Sequence, residues 1–295
     1  MAEPPVTELR PLMLSIAYRM VGSFSEAEDL VQEAYLRLHQ EEVANPKAWL
    51  TTVTTRLAID HLKSARVRRE QYTGTWLPEP VLADPAPGAA ERAETLSLAF
   101  LVVLESLSPV ERAVFLLRDV FDYGYEEIAE IVGKSAANCR QLAVRARRHV
   151  EAREPRFEAS RTQRDELGRR FLAAVREGET EPLIELLAED VAFYGDGGGK
   201  APAIPRPLHG RERVARFVLG LGRLARRQTM TLRPVEVNGQ PGVLALDAAG
   251  HPIGVLSLDI ADGTVHAIRS VVNPEKLTHI SSTILPSLPP DLKRS

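Results

Sequence analysis

The sequence has little of what secreted, zinc-stapled and membrane-spanning proteins depend on. Its one cysteine, Cys139, excludes an internal disulfide and a cysteine-based zinc site, and fits a reducing compartment. Aromatic residues are scarce, at 5% of the chain with tryptophan only at positions 49 and 76, so any core must be built chiefly from aliphatic side chains. Long uncharged apolar runs are missing too. Met1 to Arg19 carries Glu3, Glu8 and Arg10, which argues against both a signal peptide and a membrane span and leads us to expect a cytoplasmic protein. Nor is there an excess of one charge: the formal net charge is −3 over 295 residues. A chain this close to neutral cannot hold a polyanion by bulk charge, so any nucleic-acid binding must come from local basic patches. At 44% apolar content and this length, two or three domains are expected.

The sequence does contain Asp122 to Arg148, DYGYEEIAEIVGKSAANCRQLAVRARR, which spells two short helices joined by a tight turn. Ile128, Ala129, Ile131 and Val132 recur at helical spacing, Gly133 suits a left-handed stop, and Ser135 suits the cap of the next helix. Cys139, Leu142, Ala143 and Ala146 give that second helix an apolar face. Lys134, Ser135, Asn138, Arg140, Gln141, Arg145, Arg147 and Arg148 are then available for base edges and phosphates. Lys134 to Arg148 holds five basic residues and no acidic one. Taken alone, a solvated basic face is the competing reading; the tight turn and the small-residue packing face favour a helix-turn-helix.

Upstream, the chain reads as helical to about Tyr72. Leu12, Ile16 and Met20 mark a helix over 9–20; Ser25 and Glu28 suggest a capping box for a helix over 26–39. That second helix is acidic, with Glu28, Asp29, Gln32 and Glu33 around Leu30, Val31, Tyr35, Leu36 and Leu38. A third begins after Asn45, with Pro46 at its first position, and runs to Arg69 or beyond. Trp49, Thr52 and Arg56 lie on it, and Lys63, Arg66, Arg68 and Arg69 make its end basic. An aromatic beside cations suits single-stranded nucleic acid; a buried Trp49 and a solvated basic end are the alternative. Pro78, Pro80, Pro85, Pro87, Gly74 and Gly88 break the chain between 72 and 92, which suggests an extended connector. Ser108, Pro109 and Glu111 then start a further helix, preceded by one expected over 93–107.

Glu28 to Leu38 (EDLVQEAYLRL), Pro46 to Leu50 (PKAWL) and Asp60 to Lys63 (DHLK) resemble region 2 of extracytoplasmic-function sigma factors of the sigma-70 family. Tyr125 to Gly133 (YEEIAEIVG) and the arginine helix resemble their region 4. The resemblance implies that Asp29, Gln32 and Glu33 bind the clamp helices of the RNA polymerase β′ subunit. It implies that Asn45, Lys47, Trp49, Thr52, Arg56, Lys63 and Arg66 hold the opened −10 strand. The helix from Ser135 would read the −35 element as duplex, with region 4 on the polymerase β flap, and no cofactor or catalytic group is called for.

The rest of the chain mixes helices over 167–175, 182–187 and 211–224 with strand-like segments over 229–237, 243–247, 253–260 and 265–272. These are separated by Asn238-Gly239, Ala249-Gly250 and Asp262-Gly263, which favour hairpins. Helices followed by an antiparallel meander suggest an α+β fold with a curved sheet around a cavity, similar to the SnoaL-like, NTF2-like superfamily. Trp76-Leu77-Pro78-Glu79-Pro80, Asp196-Gly197-Gly198-Gly199-Lys200 and Asn273-Pro274-Glu275-Lys276-Leu277 together resemble SigJ-type sigma factors carrying such a fused domain. The expected class is therefore multidomain: two all-α sigma domains over 1–72 and 93–153, and an α+β SnoaL-like domain over 161–280. Linkers at 73–92 and 154–160 and a tail at 281–295 complete it.

Those three segments lie outside the DNA-reading helices, which points to regulation in cis. An enzyme or a small-molecule sensor is the alternative for this fold, with Asp190, Tyr194, His209, Asp247, Asp259 and His266 as pocket groups; a fold alone does not supply chemistry, and we expect no enzyme. The basic run Arg211, Arg213, Arg216, Arg223, Arg226 and Arg227 fits a solvated helix, with a DNA-backbone or acidic contact as the competing reading.

Overall fold

The computed structural model describes residues 6–70, 72–83, 97–152 and 160–280, which fall into two compact units. One comprises 1–71 and 100–154, the other 72–99 and 155–295. The expected tail, most of the 154–160 linker and residues 84–96, with the start of the helix expected over 93–107, lie outside the described residues.

The first unit is helical. Its elements are α1 (Arg10–Val21), α2 (Phe24–Leu38), α3 (Pro46–Glu70), α4 (Leu98–Leu104, from residue 100 onward), α5 (Pro109–Phe115), α6 (Tyr125–Val132) and α7 (Ala136–Glu151). Caps explain most of the boundaries. Gly22, at φ 72°, closes α1 in the left-handed conformation that glycine adopts without strain. The cap of α2 differs from the expectation: Ser23, not Ser25, takes the extended conformation and accepts from the Glu26 amide at 3.1 Å. Asn45 caps α3 by accepting from Ala48 N at 2.9 Å, with Pro46 next to it where no amide is needed. Ser108 and Glu111 form the predicted reciprocal box. A π-helical turn at Leu116–Val120 follows α5, which the sequence pattern did not reveal. Gly133, at φ 66°, and the Ser135 cap divide α6 from α7 as predicted, and the Cys139 side chain is fully buried between them. Val114, Leu117, Ile128, Ile131, Leu142 and Ala143 complete that core.

The second unit has the expected α+β architecture. Helices α8 (Arg161–Glu177), α9 (Thr180–Leu186) and α10 (Arg211–Arg227) pack on a seven-stranded sheet in the order β1-β4-β5-β6-β7-β2-β3. The strands are β1 (Leu82–Ala83), β2 (Leu187–Asp196), β3 (Leu208–His209), β4 (Thr231–Val237), β5 (Gln240–Leu246), β6 (Pro252–Ala261) and β7 (Thr264–Val271). Strands β4 to β7 form the predicted meander. Asn238 and Gly239, like Asp262 and Gly263, both take positive φ, the backbone of a tight two-residue hairpin turn. The sheet is not wholly antiparallel, however: β2 runs parallel to β7, which the meander pattern could not show because β2 is separated from it by a long crossover. The connector also contributes a strand, β1, paired antiparallel with β4 through Leu82–Val237 and Ala83–Glu236.

Phe193, Leu258, Ile260, Val265 and Ile268 point toward the helices, where they meet Leu167, Phe171, Val214 and Val218; a bulge between β6 and β7 at Asp259/Ile260 resets the alternation so that both Val265 and Ile268 face inward. Phe193 and Phe217 pack edge to face in this core, at 4.9 Å between centroids.

Candidate nucleic-acid interface

On α2, Asp29, Gln32 and Glu33 are exposed at spacings of three and one, and so share one side of the helix. Leu36 continues that side at 53% exposure, although the sequence pattern had placed it among the packing residues. An acidic and polar stripe ending in an uncovered leucine suits a partner surface with cations and an apolar spot.

The start of α3 holds the second group. Asn45 and Lys47 are exposed; Trp49 is half-buried rather than sunk in the core, its indole N–H donating to Glu41 at 3.1 Å. Thr52 donates to the Ala48 carbonyl at 2.9 Å, and Lys63 pairs with Asp60 at 2.7 Å. Arg56 is turned toward the helix-turn-helix, with Nε and a terminal nitrogen donating to the carbonyls of Ile131 and Glu130, both at 2.8 Å. These are the unsatisfied carbonyls at the C-terminus of α6, where a cation is favourable. Thr51 and Tyr123 share a further hydrogen bond at 3.0 Å. In this conformation, then, α3 packs against α5 and α6. The side chain of Arg66, and those of Arg68 and Arg69, lie outside the described residues.

Helix α7 presents Asn138, Arg140, Gln141, Arg145 and Arg148 to solvent, with Lys134 and Ser135 exposed at its start. Arg147 is partly exposed and pairs with Asp119 of the π-turn at 2.7 Å, which raises its pKa above the usual arginine value. Arg140 pairs with Glu126 at 2.9 Å and lies over the Tyr125 ring; Arg145 faces Glu111 at 3.6 Å. Val144, 44% exposed between Gln141 and Arg145, was not singled out from the sequence. Its exposure on an otherwise polar face is the signal, since an apolar group there can meet a thymine methyl.

Within the second unit, the three unusual segments meet at Asp196, which is fully buried. Its Oδ1 accepts from the Tyr72 hydroxyl at 2.5 Å and from Gly198 N at 3.1 Å. Its Oδ2 accepts from Leu77 N at 2.8 Å and from Lys276 Nζ at 2.7 Å. Lys276 also donates to the Leu77 carbonyl and sits 4.4 Å from the Trp76 ring centroid. Burial, and then the Asp196 charge, push the Tyr72 phenol well above its ordinary pKa, so it remains a donor. Gly198 is at φ 59°, and a Cβ there would stand 2.3 Å from Asn273 Nδ2. Asn273 in turn donates to the Tyr72 oxygen at 3.0 Å, and Lys200 pairs with Glu275. Pro78, Glu79 and Pro80 are buried alongside Leu77, His279 bonds the Pro80 carbonyl at 2.8 Å, and Val81 exchanges hydrogen bonds with Asn238. Residues Tyr72 to Ala83 thus form a strap fixed to the C-terminal domain.

The sigma-70 region 2 family model matches residues 6–68, and the sigma-70 region 4 model matches 97–150. The chain is 40% identical over 287 residues to the ECF RNA polymerase sigma factor SigJ of Mycobacterium tuberculosis, covering 92% of this chain and 91% of that one. This chain belongs to the extracytoplasmic-function sigma factors. It is also 34% identical over 281 residues to a probable ECF sigma factor, SigI, of the same species, covering 91% of this chain and 92% of the relative. The crystal structure of M. tuberculosis SigJ superposes with a TM-score of 0.74 at 37% identity, covering 93% of this chain and 98% of that one. As an ECF sigma factor, the chain directs RNA polymerase to promoter DNA and initiates transcription.

Of the groups considered for an enzyme pocket, Asp259 and Tyr194 meet through Arg269. Asp190 and His209 are exposed; Asp247 bonds His251 within the β5–β6 turn; His266 bonds Thr264. Asp259 pairs with Arg269, over which the Tyr194 ring lies, and strand alternation puts these three on the side of the sheet facing away from α8 and α10. An open groove of about 610 Å³ beside α8 is lined by Thr162, Gln163, Glu166, Arg170 and Asp262, and by none of the expected groups. No helix among the described residues is long and apolar enough to cross a membrane.

Proposed function

We propose that this sigma factor, working in the cytoplasm, binds the polymerase β′ clamp helices through Asp29, Gln32, Glu33 and the exposed Leu36. Asn45, Lys47, Trp49, Thr52, Arg56, Lys63 and Arg66 hold the opened −10 strand, with bases against the tryptophan and phosphates against the cations. Helix α7 reads the −35 duplex through Asn138, Gln141 and Val144, flanked by Lys134, Arg140, Arg145 and Arg148, while region 4 rests on the β flap. The C-terminal domain controls this in cis and not by chemistry.

The observation that carries the regulatory part is the seat of the strap on Asp196. Residues 72–83 are the first half of the segment joining region 2 to region 4, and their docking removes that length from the reach of the linker. Reach matters because promoter elements named for positions −35 and −10 stand about 85 Å apart along B-DNA, at 3.4 Å per base pair. Arg56, by contrast, touches the end of α6 directly. Engaging both elements therefore requires α3 and α6 to part, and a strap that holds half the linker sets how far they go.

The test is promoter-dependent transcription with purified core polymerase, comparing the full chain with one lacking Arg161 to Ser295. Output and promoter affinity should both change. Unchanged values, with polymerase binding intact, would remove the regulatory reading and leave the sigma function standing.

A further inference from the structure

Helix α10 carries six arginines against the single acid Glu212, in a chain whose overall charge is −3. Its buried face, with Val214, Ala215, Val218, Leu219 and Ala225, is committed to the core, and Arg226 caps α8 through the carbonyls of Val175 and Arg176. The remaining face is a row: Arg213, Arg216, Arg223 and Arg227 are all exposed, with Gly220 between the two pairs. Steps of three, seven and four residues keep them on one side and spread them over about 21 Å. None of these four side chains has an ion pair or hydrogen bond among the described residues. The arginines on α7 are different, since Arg140, Arg145 and Arg147 each face a carboxylate of the same unit.

We propose that this arginine row is a second DNA contact of the sigma factor, gripping the phosphate backbone of duplex DNA without reading its sequence. Like charges held in line at close spacing repel one another, and a regular polyanion relieves that repulsion while releasing counterions. A lipid surface fits poorly, because the apolar side of α10 is packed against Phe193 and its neighbours and cannot enter a bilayer. An acidic protein surface would need an apolar centre to exclude water; Leu224 beside Arg223 is a lone exposed leucine. The row lies on the domain that the strap joins to the DNA-reading helices, so any promoter bound by those helices is present at high local concentration.

The experiment uses the full-length protein assembled with core polymerase, as wild type and with Arg213, Arg216, Arg223 and Arg227 all changed to Gln. Each is titrated by fluorescence anisotropy against a labelled promoter duplex, and against one of equal length with scrambled −35 and −10 elements, over a range of KCl. Each arginine on a phosphate contributes about 0.9 to the slope of log K against log salt, so the slope should become shallower by about 2 to 4 on both duplexes. Affinity at low salt should fall roughly 10- to 100-fold, with core binding unchanged. The fourfold Arg→Lys variant keeps the charge and should keep the wild-type slope. An unchanged slope in the Gln variant, or an equal loss in the Lys variant, overturns the proposal. So does a loss of core affinity in place of DNA affinity, which assigns the row to an acidic protein surface. The scrambled duplex separates this from promoter reading by α7, which it abolishes by design.

Discussion

Asp196 and Lys276 form a buried ion pair, Nζ to Oδ2 at 2.7 Å, with the aspartate fully enclosed and the lysine side chain 9% exposed. Both charges are used more than once: the carboxylate takes four donors, and the ammonium also meets the Leu77 carbonyl. Such a pair adds little net stability over an apolar substitute, but breaking it leaves an uncompensated buried charge. Asp196→Asn should therefore destabilise the second unit by about 3–5 kcal/mol in urea unfolding, while Asp196→Asn with Lys276→Met should regain a substantial part. Limited proteolysis should cut the 72–83 strap earlier in the single variant, and equal cutting in wild type and variant would contradict the docking.

The glycine triplet makes a second demand on the same site. Gly198→Ala has to place a methyl group at φ 59° and 2.3 Å from the Asn273 amide, whereas Gly250→Ala meets a positive φ of 86° but open space. The control should cost about 1 kcal/mol and the Gly198 change about 2–4, with Asn273→Ala recovering part of the difference. Equal costs at the two positions would mean that close approach is not what selects glycine.

On α7 the roles separate by what each residue touches. Arg148→Ala should weaken binding evenly across promoter sequences and reduce the salt slope by about 1, as a phosphate contact does. Gln141→Ala should instead cost about 1–3 kcal/mol of discrimination at one base pair of the −35 element. Anisotropy titrations on single-base variants of that element distinguish the two, and sequence-selective loss from Arg148→Ala would invert the assignment. Arg147→Ala should lower stability more than specificity, because its partner is Asp119.

Acid stability offers a check on the first unit. Burial alone would raise the Glu111 carboxyl, but hydrogen bonds from Ser108 and the nearby Arg145 and His149 bring it below its ordinary value of 4.5. A carboxyl depressed by folding contributes stability above its unfolded pKa, lost as pH falls below 4.5 toward the folded value. Glu111→Gln should therefore flatten the loss of thermal stability below about pH 4.5 relative to wild type. An unchanged pH profile would show that the box and its neighbours do not hold the charge.

The helices and hairpins were legible because their signals are local. Pro46, Ser108, Gly133 and Ser135 act within four residues, and Asn238-Gly239 sets its own turn. The cap expected at Ser25 falls at Ser23 because two serines two apart offer the same chemistry, and backbone conformation chooses between them. The parallel pairing of β2 with β7, the β1 strand and the π-turn depend on contacts far apart in sequence, which no periodicity records. The three unusual segments were visible as segments, yet nothing in their spacing indicated that one carboxylate, Asp196, would join them. The pairing of Arg147 with Asp119 and the exposure of Val144 and Leu36 were equally hidden, since helical spacing gives a face its composition but not its neighbours.

On the proposed reading, a strap seated on Asp196 governs how this sigma factor uses its two DNA-reading domains. The most direct measurement is single-round transcription from a cognate promoter by core polymerase with the wild-type chain, Asp196→Asn, and Asp196→Asn with Lys276→Met. Core binding is measured in parallel. Asp196→Asn should change output at least severalfold with core affinity unchanged, and the double variant should return part of the way. Identical output from all three, at equal core binding, would contradict it.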